Sequence, residues 1–151
     1  MMNYFQCFTF FIISIFVSTY VLANDDKEEA TVEVRLLSAK KVLLEQVNIA
    51  LVYVKGLVCP SCAIGIRKNL SKMKGVDKSR FRDGIDMDPD TQLVTIAFKE
   101  KEFLLNDKEV IERVEDAGYI AVEKYHLHDG HLDALRYKHD ASVEVVHHEQ
   151  H

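Results

Sequence analysis

Residues 54–70 read VKGLVCPSCAIGIRKNL, and the meaning of this stretch decides the fold. Upstream, NIALVYVKG (48–56) is apolar, β-branched and alternating, which predicts a strand closed by Gly56. Downstream, Ala63, Ile66, Leu70 and Met73 recur at helical spacing, with Arg67, Lys68 and Lys72 on the other side. Gly75 suits the residue just past the helix end. Pro60 fits the helix start, where a missing N–H costs nothing. Cys59 then stands on a loop and Cys62 in the first turn, facing one another at an exposed strand-to-helix corner.

Working outward, SRFRDGIDM and QLVTIAF read as two strands joined at Asp88-Pro89-Asp90-Thr91, where proline's fixed φ favours a turn. Asn106 and Glu109 form a capping box for a second helix carrying Val110, Ile111, Val114 and Ala117. Gly118 ends it, and YIAVEKYHL is a last strand. The order over 48–127 is β-α-β-β-α-β, the split βαβ pattern. The expected fold is therefore α+β, a ferredoxin-like βαββαβ sandwich with N- and C-terminal extensions. Thr31–Gln46 carries two signals, strand alternation at Val32, Val34 and Leu36 and a helix face at Val32, Leu36, Ala39, Leu43 and Val47. The expectation adopted is a strand followed by a turn near Ser38–Lys41.

The chain has 151 residues, enough for one domain with additions. Its formal charge of −5 argues against nucleic-acid binding. The first 24 residues carry no charged side chain, and Phe8–Leu22 is an apolar run shorter than the ~20 residues of a membrane span. Val21-Leu22-Ala23 followed by NDDKEE reads as a secretory signal cut after Ala23, although no Lys or Arg precedes it. The rival is a retained membrane anchor. The domain plan is a signal at 1–23, an N-terminal extension at 24–47, the βαββαβ unit at 48–127 and a His-rich extension at 128–151. Cys7 leaves with the signal, so the mature chain has two cysteines, Cys59 and Cys62. One close pair is no disulfide scaffold.

Two thiolates at an open corner, with no second CxxC or nearby His, do not make the four-ligand set zinc prefers. They suit a soft ion that accepts low coordination, Cu(I) ahead of Hg(II), with zinc behind both. An exposed helix start is worth roughly 0.3–1 kcal/mol, less than one pKa unit. The thiols should stay mostly protonated until a metal displaces the protons, which makes them ligands before nucleophiles.

GLVCPSCAIGIRKNLSKMKGV, followed by VIERVEDAGY, resembles the heavy-metal-associated domain family, which includes mercury-binding proteins and copper chaperones. The resemblance covers about 48–127 and implies the same βαββαβ fold. It implies that Cys59 and Cys62 are the metal ligands, that Tyr119 is the aromatic beside them, and that a metal transporter or metal-accepting protein is the partner. Leu57 departs from the family's usual Met, a change of shape more than of volume. The segment after the first helix is also a few residues longer than usual.

The expected function is thus an exported, monomeric carrier of a soft metal ion and not an enzyme. Contact with a membrane would come only through the signal or anchor segment. Two rivals use the same residues: a thiol–disulfide oxidoreductase, and an interaction module in which CxxC is a plain disulfide. Against the first, the chain has no Trp before the motif and no proline placed as a cis-proline. All seven histidines lie in the last 26 residues. His147, His148 and His151 are the densest group and a candidate second metal site. His126 and His128 share a strand face, HDGH reads as a turn, and ASVEVVHHE is either solvated tail or an added edge strand. Asp86, Asp88 and Asp90 read as a solvated turn, since Pro89 and a missing Glu spoil a calcium loop. The sequon at Asn69 falls in a helix and reads as accidental.

Overall fold

The computed structural model describes residues 29–59, 61, 63–100, 105–138 and 142–146. The signal segment, Cys7, Pro60, Cys62, His139, His147, His148 and His151 lie outside these described residues. The described chain runs α1 (Val32–Glu45), β1 (Ile49–Lys55), α2 (Ala63–Leu70), β2 (Ile85–Asp88), β3 (Leu93–Ala97), α3 (Asp107–Glu115), β4 (Ile120–His128), β5 (His131–Tyr137) and β6 (Val143–Val146). The six strands form one sheet in the order β2-β3-β1-β4-β5-β6. Every pairing is antiparallel. The fold is α+β.

Both faces of the sheet are covered. Val52, Val54, Val94 and Ile96 point to one face, where they meet Ile66 and Leu70 of α2 and Val110 and Val114 of α3. Leu51, Tyr53, Leu93, Tyr125 and Ala134 point to the other, against Leu36 and Ala39 of α1. This explains why all five β3 residues are buried, as expected of a strand with protein on both sides. A bulge in β4 opposite Tyr53 and Val54 turns Ala121 towards α2 and α3 while Glu123 and Tyr125 face α1.

The strand-and-turn expectation for Thr31–Gln46 is wrong: the segment is helix α1. Thr31 caps it by accepting a hydrogen bond from the Val34 amide. Tertiary contacts decide the matter. Arg35 is 5% exposed, with its guanidinium 3.6 Å from the centre of the Tyr53 ring. It donates to the carbonyls of Thr91 and Ala30. A strand would point Arg35 and Leu36 to opposite faces, whereas the helix sets both against the sheet.

Two further boundaries shift. The run 79–84 is a turn, so β2 is only Ile85–Asp88. Phe81, Asp83 and Gly84 have positive φ there, and the Ser79 amide donates to Asp77 Oδ1. Arg80 reaches back to the Val47 carbonyl and Gln46 Oε1, tying this turn to the end of α1. Helix α2 stops at Leu70, and Met73 is buried from the turn that follows. The sheet also continues beyond 127, since the segment read as a solvated extension or an edge strand supplies β5 and β6. The Asp129-Gly130 turn has both residues at positive φ, the pattern of a tight two-residue hairpin.

Candidate metal centre

The loop after β1 is fixed from below by one side chain. Gly56 has φ +89, which lets the chain leave the strand at an angle a Cβ would penalise. Leu57 then turns inwards and is fully buried in the core shared with Ala63, Ile66 and Val114. Its volume therefore does the packing expected of the family's Met. Val58 is exposed again at 36%, and Cys59 follows, half-buried. The loop is a short span between a buried anchor and the helix α2 that begins at Ala63.

Cys59 Sγ lies 3.4 Å from Ser61 Oγ. Cys59 is disulfide-bonded. Cys62, its expected companion, falls outside the described residues, as do the tail histidines His147, His148 and His151. Among the described residues no group of three His, Cys, Asp or Glu side chains is placed to hold a metal ion.

Tyr119 follows Gly118, which has φ +85, and its amide donates to the Val114 carbonyl. Its ring lies against the loop: a Cβ built on Gly56 would sit 3.6 Å from Tyr119 Cδ1. The structure thus brings Tyr119 beside the start of the cysteine loop. The helices under the loop are locked together by reciprocal bonds, Asn69 Nδ2 to the Arg113 carbonyl and an Arg113 guanidinium nitrogen to the Asn69 carbonyl. A Glu109 carboxylate orients Arg113 at 2.6 Å. Asn69 is thereby engaged between two helices, which supports the accidental reading of its sequon. The Asp88 carboxylate accepts from the Asp90 amide and from Thr91 Oγ1, the hydrogen bonds of a turn.

Residues 51–119 match the family model of the heavy-metal-associated domain. This stretch is a heavy-metal-associated domain. No curated protein and no solved structure gives a significant match to the chain. The matched residues begin inside β1 and end at Tyr119, so they contain the whole cysteine loop and the aromatic beside it. The domain accounts for heavy-metal binding as a capacity of the chain. Helix α1 and strands β4, β5 and β6 lie outside the match.

Proposed function

We propose that the chain is an exported carrier that holds one soft heavy-metal ion, Cu(I) before Hg(II), between the thiolates of Cys59 and Cys62. It passes the ion to a metal transporter or metal-accepting protein and has no catalytic role of its own. The β2-β3-β1-β4 strands with α2 and α3 are read as a ferredoxin-like carrier frame. The observation that carries the proposal is the placement of Cys59 directly after the buried Leu57 anchor, inside the matched heavy-metal-associated domain.

The proposed partner in the Cys59 disulfide is Cys62, three residues along. Reduction by two electrons and two protons gives two thiols, and the incoming ion then displaces those protons. An exported protein meets an oxidising compartment, so the carrier cycle includes that reduction. Cys59 and Cys62 together offer two sulfurs, and exchange with a partner's thiolates proceeds one sulfur at a time.

The test is titration of the reduced chain from Asn24 onward with Cu(I) and Hg(II), beside Cys59→Ser/Cys62→Ser. One tight equivalent in the native chain and none in the variant is expected. Equal tight binding by both overturns the cysteine site. The disulfide at Cys59 favours thiol–disulfide exchange as the second reading. Sustained turnover in a disulfide-reductase assay would put that reading first.

A further inference from the structure

The hairpin β4–β5 gathers histidines that the cysteine site does not use. His128 pairs directly with His131 across the two-residue turn, and His126 pairs with Asp133 two residues further in. Alternation places all four side chains on one face of the sheet. It is the face of Lys124, which bonds Asp107 of α3, and it lies opposite Leu132 and Ala134, which pack towards α1. Helices α2 and α3 do not cover this end of the face, and all four residues are exposed.

We propose that this hairpin is a second metal site, in which His126, His128, His131 and Asp133 take a borderline divalent cation, Cu(II) foremost and Ni(II) or Zn(II) after it. Directly paired residues have Cβ atoms about 5 Å apart, and same-face neighbours along a strand about 7 Å apart. Two imidazoles at either spacing can lean together to place nitrogens on one ion with bonds of about 2.0 Å. As they stand the four side chains do not converge, so the ion closes the site by turning exposed rings on a fixed backbone. His128 Nδ1 lies 3.4 Å from Asp129 Oδ2, within ion-pairing reach of a carboxylate. A carboxylate that takes the Nδ1 hydrogen bond leaves Nε2 facing outwards for a metal.

Imidazole and carboxylate select a harder class of ion than two thiolates do. The two sites also lie far apart. Ile120, at the other end of β4, pairs with Lys55 beside the cysteine loop, and His128 is eight residues further on. At about 3.4 Å per residue the separation is roughly 25 Å, so one ion cannot bridge the two.

The test starts from the full mature chain with Cys59→Ser, Cys62→Ser, His139→Asn, His147→Asn, His148→Asn and His151→Asn, which removes every other Cys and His ligand. Titration with Cu(II), followed by electron paramagnetic resonance, should give one equivalent with nitrogen hyperfine structure. Adding His128→Asn and His131→Asn should weaken binding by at least about 100-fold. Asp133→Asn should weaken it by a smaller factor. Circular dichroism checks folding, which these exposed positions should leave intact. Absence of stoichiometric binding in the starting chain, or equal binding after loss of His128 and His131, overturns the proposal.

Discussion

Leu57→Ala tests whether the cysteine loop is held from the core. Leu57 is 0% exposed and sits two residues before Cys59. Truncation removes three carbons from a closed core, at about 0.8 kcal/mol each, and leaves a cavity that adds to the loss. The sum is about 3 kcal/mol, or a fall in Tm of roughly 6–12 °C for a domain of this size. Two controls bracket the number. Leu57→Met keeps the volume and should cost less than about 1.5 kcal/mol. Val58→Ala, at a position 36% exposed, should cost less than about 1 kcal/mol. Urea unfolding of the three variants beside the native chain measures these differences, and alkylation of Cys59 in the reduced protein reports the loop. If the reasoning holds, Leu57→Ala alkylates faster under native conditions, because the thiol loses its tether to the core. A cost below about 1 kcal/mol for Leu57→Ala would refute the anchoring role and leave the loop held by its flanking elements alone.

Arg35→Ala should cost about 2–4 kcal/mol, because it removes a stacked guanidinium and strips buried carbonyls of their donor. Limited proteolysis should then cut within 29–46 while sparing the strands, and an unchanged cleavage pattern would count against the docking of α1. Tyr53, Tyr125 and Tyr137 all have hydroxyl pKa values raised above the ordinary 10, burial being the first cause in each and Glu123 or Asp107 adding to it. A raised folded-state pKa means the stability is fully present below about pH 10 and is lost as pH rises beyond it. From the two hydroxyls most strongly raised, Tyr125 and Tyr137, the loss approaches about 3 kcal/mol per pH unit. Tyr125→Phe/Tyr137→Phe should remove most of that slope in alkaline denaturation curves, and an unchanged slope would refute the assignment. Arg113→Ala should destabilise by about 1–2 kcal/mol through loss of its bond to the Asn69 carbonyl of α2 and of its pairing with Glu109 within α3. A thermal shift indistinguishable from the native chain would mean those bonds carry no net stability.

Much of the domain was legible because its signals were local. The Asn106 cap, the apolar spacing of 63–70 and 110–114 and the Asp88-Pro89-Asp90-Thr91 turn each name an element without help from the rest of the chain. Thr31–Gln46 was misread because its two periodicities compete within the segment. What resolves them lies outside the segment: the face of Tyr53, 18 residues from Arg35, and the carbonyl of Thr91, 56 residues from it. The turn at 79–84 reads as a strand for a related reason. Phe81 and Asp83 take positive φ there, and Gly84 packs so closely that an added Cβ would come within 2.9 Å of the Asp77 carbonyl oxygen. The histidines were seen as a cluster, and HDGH as a turn, but Asp133 joins them only once the register of the β4–β5 hairpin is known.

The parts outside the matched domain explain why the cysteine loop can be simple. In a sheet with helices on one face only, the other face would stay wet. Here α1 covers β1, β4 and β5 from behind, and the buried Glu123 carboxylate, which accepts from Arg136 and the Tyr125 hydroxyl, closes that layer. Stability thus comes from elements that do not touch the loop. Gly56 and Leu57 fix where the loop starts, and Tyr119 stands beside it. It follows that damage to the α1 layer and damage to metal binding should separate. Arg136→Met, which takes the guanidinium donor from the buried Glu123 carboxylate, should lower stability by about 3 kcal/mol or somewhat less, since Arg136 is itself half-exposed. At temperatures where the variant is still folded, its affinity for Cu(I) should match the native chain within about threefold, because additivity holds for distant sites. A large loss of affinity in the folded variant would mean that the two layers are coupled through β1, and that the loop's geometry depends on both faces of the sheet.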